Sequence, residues 1–177
     1  MEIHVLGLGD SIKTYQPKKL IPTIGVNNIY QFVKTDYVVC LDRMRRFSHE
    51  KLKIIKSSTP IKFYSHLSEW TKVVQNFELI TLAMPRGDVK QLDSPKIIYS
   101  ICSPYVACIM AYKLGADRIV LNGVDLLNHP SFNSSTERLN RIRNDFKVLR
   151  GALCLRGVEL MVGNTYTSLF PTLPFAG

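Results

Sequence analysis

The opening stretch Met1–Ser11, MEIHVLGLGDS, restricts the fold more than any other part of the chain. Ile3, Val5, Leu6 and Leu8 make a short apolar run of the length a buried strand needs. Gly7 and Gly9 interrupt it, and Asp10 and Ser11 stand in N-cap position for a following helical turn. Glycine after a strand lets backbone approach a ligand closely, and the start of a helical turn offers N–H groups to an anion. Two readings follow. Either a nucleotide phosphate or ribose is held at the end of the first strand, or the glycines only shape a tight turn. The full dinucleotide fingerprint is missing, because there is no third glycine and no acidic residue at the expected offset after an unbroken second strand.

A chain of 177 residues suits one domain with a real core, taken here as residues 1–177. Hydrophobic residues make up 46%, a globular composition. No apolar run approaches a bilayer span, and no basic lead precedes an apolar core, so neither a membrane anchor nor a signal peptide is expected. Cys40, Cys102, Cys108 and Cys154 lie in apolar segments without a C-x-x-C pair. They read as buried thiols in a reducing, cytoplasmic compartment, not as a disulfide frame or a zinc site. The formal charge of +9 favours polyanionic partners such as nucleic acid, nucleotides or anionic glycans, although it also fits a solubility surface.

Further along, Pro22–Val26 and Asp36–Leu41 read as strands, the second a continuous apolar run of the kind a parallel sheet covers on both faces. Arg43–Lys56 reads as a cationic helix, with Arg43, Arg45, Arg46, Lys51, Lys53 and Lys56 against Glu50. Ile61–Tyr64 and Glu78–Ala83 are shorter strand candidates. Met84–Pro95 reads as a long exposed loop and a candidate substrate lid. Ser103 as N-cap and Pro104 as first helical residue open a helix that Gly115 closes, and Arg118–Leu121 is the next strand. Leu139, Ile142, Phe146, Leu149 and Leu153 mark the clearest amphipathic helix, Val158–Val162 a last strand, and the proline-bearing tail an extended cover. The order implies an α/β Rossmann-like three-layer sandwich with a mainly parallel sheet.

The expected strands share a habit. Ser11, Asn27, Asp42, Gly123 with Asp125, and Asn164 all fall at C-terminal ends, where an open parallel sheet binds ligands. Each taken alone is also an ordinary turn former.

These motifs, in this order, resemble the bacterial sialyltransferases of the Campylobacter type and the related pterin-pyrophosphokinase-like Rossmann proteins. Gly7, Gly9, Asp10, Ser11 and Ile12 match a G-x-G-P-S-L-like turn, and Gly25–Val26–Asn27 a strand ending in asparagine. Ser103 through Ala116 resembles a serine-led helix of small residues before an A-L-G turn. Ile119–Leu126 is similar to a strand of the form I-y-L-s-G-i-D-f, and Leu160–Ser168 to a closing strand with its P-N-S-like turn. In length the chain looks like shortened, phage-encoded proteins of this type, for which the host cytoplasm is the expected location.

The resemblance implies a nucleotide and sugar donor held by Gly7, Gly9, Asp10, Ser11, Asn27, Asn28, Asp42, Ser103, Asn122 and Gly123. The relatives carry asparagine where this chain has Asp42, and their catalytic histidine corresponds to a position near Asn140, which accepts no proton. His129 is the candidate replacement base, unless it is an ordinary loop histidine, and Asp125 the alternative. Arg138, Arg141 or Arg143 supplies positive charge for the leaving phosphate, with Arg141 put forward. The implied activity is a metal-independent, GT-A-like glycosyltransferase that uses a nucleotide sugar as substrate and needs no cofactor. A base in phage DNA is one acceptor that the positive charge suggests. A nucleotide-binding module without transfer chemistry is the second reading. Pyrophosphokinase chemistry is the third, resting only on Asp42 and Asp125 as a carboxylate pair for magnesium. Oligomeric state is left open.

Overall fold

The computed structural model describes residues 1–126 and 135–177. Seven strands form one sheet: β1 (Glu2–Leu6), β2 (Thr23–Val26), β3 (Tyr37–Val39), β4 (Lys62–Ser65), β5 (Phe77–Leu79), β6 (Arg118–Asn122) and β7 (Glu159–Val162). Their order is β5-β4-β3-β2-β1-β6-β7, and every neighbouring pair is parallel. Val5 at the centre of the sheet pairs with Ile24 on one side and Leu121 on the other. The chain winds outward from β1 to β5, then crosses back to add β6 and β7 on the opposite flank. The winding direction therefore reverses between β1 and β6, where such sheets open a crevice beyond the strand ends.

Both faces of β1 are buried, which explains its near-continuous apolar sequence. Ile3 and Val5 join a core shared with α2 (Ser103–Lys113) and α3 (Thr136–Cys154), while Leu6 joins a second core on the other face. Helix α3 contributes Ile142, Phe146, Leu149, Ala152 and Leu153, the stripe expected from its spacing. Each large apolar side chain removed from water there contributes about 1.5–3 kcal/mol. The second core is built around Trp70, fully buried against Phe63 and Phe47 at ring separations of 5.5 and 5.7 Å. Helix α1 (His49–Lys56) adds Ile55 to it.

Four local expectations are corrected. The cationic stretch is not one helix: a 3-10 turn at Met44–Arg46 is followed by α1, whose start is set by the Ser48 hydroxyl accepting from the Lys51 N–H. The strand expected at Glu78–Ala83 begins and ends earlier, because Phe77–Leu79 pair with β4. Helix α2 has Cys102 as N-cap and Ser103 as its first residue, one position later than serine capping requires. Met84–Pro95 is no open loop. It carries a 3-10 turn at Val89–Gln91 and a fully buried Leu92. Asp93 binds Tyr112 and Arg156, and the Lys113 ammonium donates to the carbonyls of Leu92 and Ser94. Those partners sit at the C-terminal ends of α2 and α3, the edge of the sheet where β6 and β7 begin. The segment is thus anchored at the wrong end of the molecule to cover the crevice.

Among the described residues no helix is long and apolar enough to cross a membrane. The cysteines are less uniform than their sequence setting suggests: Cys40 and Cys108 are buried, Cys102 is half-buried and Cys154 exposed.

Candidate functional site

A cleft of about 270 Å³ opens at the C-terminal edge of the sheet. Its walls bring together Leu8 and Gly9 after β1, Asn27 after β2, Asp42 after β3, the start of α2 from Ser100 to Pro104, and Gly123 to Leu126 after β6. These residues are scattered over more than a hundred positions, and the parallel topology collects them at one rim.

The close approach of two turns makes that rim possible. The Gly7 N–H donates to the Asn122 carbonyl at 2.8 Å, and the Gly9 N–H to the Gly123 carbonyl at 2.7 Å. A side chain at Gly7 would place its Cβ 2.3 Å from the Gly123 carbonyl oxygen. Gly123 itself has φ +65°, a left-handed conformation that glycine adopts without steric cost. A Cβ on Gly9 would meet the Asp125 carboxylate at 2.5 Å. The glycines are therefore required by backbone and carboxylate contacts between β1 and β6, whatever else binds there.

Asp125 is buried, and Ser11 occupies both of its oxygens: the Ser11 N–H donates to Oδ2 at 2.8 Å and the Ser11 hydroxyl to Oδ1 at 2.5 Å. The Asn164 amide donates to the same hydroxyl at 3.1 Å, so the ends of β1, β6 and β7 are knotted through one carboxylate. In this arrangement Asp125 ties the turns and is not presented as a general base.

Asp42 is similarly engaged. Its Oδ2 accepts from the Asn27 amide at 3.1 Å and its Oδ1 pairs with Arg46 at 3.2 Å. The Trp70 indole donates to its main-chain carbonyl at 3.2 Å, and Glu69 accepts from the Met44 N–H at 2.7 Å, fixing the turn that carries Arg46. With Asp42 and Asp125 both committed to protein partners, the carboxylate pair expected for magnesium is not assembled. Among the described residues no group of three or more histidine, cysteine, aspartate or glutamate side chains is gathered for a metal.

The opposite wall is the N-terminus of α2. Its cap residue Cys102 gives no side-chain cap, and Pro104 has no N–H, so the helix presents its positive end to the cleft with little internal compensation. Burial pushes the Cys102 thiol up to about 12, which keeps it protonated near neutrality. Ser100, buried on the same wall, donates to Asp145 of α3. Arg46 and Arg138 complete the lining, both exposed. Anion-favouring charge thus flanks the cleft on two sides.

Of the residues expected at the site, Gly9, Asn27, Asp42, Ser103, Gly123 and Asp125 line this cleft. Gly7 and Ser11 lie behind it as supports. Asn28 is buried beside it, with an amide nitrogen lacking a partner. Asp10 faces outward and pairs with Lys13. Asn122 lines a different hollow, and Arg141 is exposed on α3 outside the cleft lining. His129 lies outside the described residues. Arg46, Ser100, Cys102 and Arg138 were not anticipated as lining. Only Arg46 carried a usable signal, its i,i+4 spacing from Asp42.

The other hollow is larger, about 520 Å³, and lies over the part of the sheet formed by β1 and β6 that α1 does not reach. His4 is buried at its base, bonded to the Tyr15 hydroxyl and to Glu2, each at 2.8 Å. It lacks the helix N-terminus and the convergence of strand ends that the first cleft has.

No protein-family profile matches the chain, and no curated protein matches it. Solved structures do. The chain is similar to the sialyltransferase CstII from Campylobacter jejuni in complex with cytidine-5'-monophosphate, with a TM-score of 0.61 and 14% identity over 99% of this chain and 85% of that one. It is similar to the same enzyme in complex with CMP-3FNeuAc, at a TM-score of 0.62 and 15% identity over 99% and 85%. A complex of that sialyltransferase with a trisaccharide acceptor and CMP gives a TM-score of 0.62 and 16% identity over 100% and 86%. At such identity the likeness establishes the fold, an α/β Rossmann-like sandwich with a parallel sheet.

Proposed function

We propose that this chain is a glycosyltransferase whose nucleotide-sugar donor binds in the cleft at the C-terminal ends of β1, β2, β3 and β6. The observation that carries the proposal is the convergence of Gly9, Asn27, Asp42, Ser103 and Gly123 on one concavity beside a weakly capped helix N-terminus. The likeness to a sialyltransferase solved with CMP and with a CMP-sugar analogue supports the same reading.

In this account the donor phosphate lies toward the first turn of α2, where N–H groups and Arg138 favour negative charge. The nucleoside lies toward Asn27 and Gly123. Transfer breaks the bond between the sugar anomeric carbon and the phosphate oxygen, forms one to an acceptor oxygen, and moves the acceptor proton to a base. His129 is the proposed base, since an imidazole titrates in the suitable range. The arginines and the helix N-terminus stabilise the departing nucleotide phosphate, and no metal is assigned to that step. Arg43, Arg45 and Arg46, all exposed on the turn beside the cleft, suit a polyanionic acceptor such as nucleic acid.

Among the described residues no histidine lines the cleft, and both lining aspartates are engaged. This favours, as a second reading, a nucleotide-binding module without transfer chemistry. One experiment separates the two. A panel of nucleoside mono- and diphosphates and nucleotide sugars is screened by thermal shift, followed by assay of donor hydrolysis. Binding with hydrolysis that His129→Ala abolishes, while binding is kept, supports the transferase. Binding without turnover supports the module, and no shift with any nucleotide contradicts both. Duplex DNA binding that weakens steeply with salt is expected if the acceptor is nucleic acid, and its absence removes that acceptor class.

A further inference from the structure

We propose that Asp42 is a positioning residue that fixes the side-chain amide of Asn27, so that the cleft presents a hydrogen-bond acceptor, and hence a subsite for a ligand hydroxyl, at the end of β2. This rests on the nucleotide-cleft reading above and specifies which part of the ligand meets that wall.

An asparagine amide has a donor edge and an acceptor edge, and only its partners decide which way it faces. An ionised carboxylate accepts only, so Asp42 Oδ2 at 3.1 Å admits the Asn27 nitrogen and repels its oxygen. The Asn27 Oδ1 is consequently turned away from Asp42. It has no protein partner, although the atom is removed from solvent. Both residues line the cleft. A desolvated acceptor without a partner is costly unless a ligand donates to it, and hydroxyl or amino groups donate whereas phosphate and carboxylate oxygens do not.

The clamp is itself held in place. Arg46 offsets the Asp42 charge through Oδ1, which reduces the repulsion that a bare carboxylate would exert on a bound phosphate. Trp70, fully buried, grips the Asp42 carbonyl, and the Asn27 N–H donates to the Val39 carbonyl at 3.0 Å. Asn27 has φ +52°, a left-handed conformation that asparagine tolerates better than most residues. Two adjacent parallel strands, β2 and β3, thereby end in a pair of side chains whose donor and acceptor roles are set before any ligand arrives.

The test compares the most tightly bound of the four nucleoside monophosphates with its 2′,3′-dideoxy counterpart and with a nucleotide sugar of the same base. Affinities are measured on the wild type, Asn27→Ala, Asp42→Ala and Asp42→Asn. For the wild type, loss of the ribose hydroxyls is expected to weaken binding about 10-fold, the size of one well-made hydrogen bond. Alternatively, the sugar adds about that factor if its hydroxyl is the donor. Asn27→Ala and Asp42→Ala are expected to erase that ratio while leaving the dideoxy ligand bound as before, and Asp42→Asn, still an acceptor toward Asn27, to keep part of it. General damage to the cleft weakens all ligands equally and leaves the ratio intact, which overturns the proposal. The clamp is also read without ligand: slowed exchange of the Asn27 side-chain amide by NMR, lost in Asp42→Ala, supports it, and fast exchange in the wild type overturns it. Failure of every nucleotide to bind contradicts the cleft reading and, with it, the hydroxyl subsite.

Discussion

Ser11 and Asp125 lie 114 positions apart and are joined twice, through the Ser11 N–H at 2.8 Å and its hydroxyl at 2.5 Å. This bond pair closes the turn after β1 onto the turn after β6, at the place where the sheet reverses its winding. The cleft exists because those two turns are held at one height.

Removing either partner leaves buried polar groups unpaired. Asp125→Ala is expected to cost about 1–3 kcal/mol of unfolding free energy, and Ser11→Ala a smaller part of it because the Ser11 N–H bond survives. Urea denaturation of both single variants and the double variant measures the coupling, expected to be about 1 kcal/mol or more in the cycle. Strict additivity would show that the two residues do not act together.

At Gly7 the obstacle is backbone, not a movable side chain. The Cβ of Gly7→Ala would stand 2.3 Å from the Gly123 carbonyl oxygen, so the strand ends must separate. We expect a loss of about 1–3 kcal/mol together with weakened nucleotide binding. A substitution at Gly151, whose Cβ meets nothing within 4 Å, serves as the control, with little change expected.

The acid side of the stability profile belongs to histidines. Burial holds the His4 imidazole below its ordinary pKa despite its bond to Glu2, and burial does the same to His66, aided by Arg43. A base with a lowered folded pKa binds fewer protons folded than unfolded, so stability is full above about pH 6.5 and declines as pH falls toward the folded value, levelling below it. The melting temperature is expected to drop across that window. The drop is expected to shrink in a His4→Gln, His66→Gln double variant. An unchanged drop would assign the acid loss to other groups.

Because Asp93 ties the Met84–Pro95 segment to Tyr112 and Arg156 at the edge away from the cleft, that segment is expected to be structural. Asp93→Ala should raise the rate of limited proteolysis within residues 84–95 and leave nucleotide affinity unchanged. A fall in affinity would restore the lid.

Much of the fold was legible because a doubly covered parallel strand leaves a direct trace. The runs around Val5, Val38 and Val120 are apolar throughout, and each stops at glycine, asparagine or aspartate. Helix α3 was legible from the spacing of Ile142, Phe146 and Leu149. The Trp70 segment was opaque, since a 3-10 turn of five residues has no amphipathic period to read, and its aromatic plugs the core without a repeat. Within the site, Gly9, Asn27, Asp42 and Gly123 were identifiable as strand ends. What they bond to was not, because the engagement of Asp125 by Ser11 and of Asp42 by Asn27 and Arg46 depends on register between distant segments. Helix α2 hid its own start for a local reason, as Ser-Pro fits equally well with serine at the cap or one position inside.

The most direct measurement is amide hydrogen exchange with and without a saturating nucleotide. The account expects slowed exchange at the turn after Gly9, at Asn27 and Asn28, at the first turn of α2 and around Gly123, with no change in the β1–β6 hollow near Tyr15 and Arg118. Protection confined to that hollow, or none at the strand ends under saturation, would contradict it.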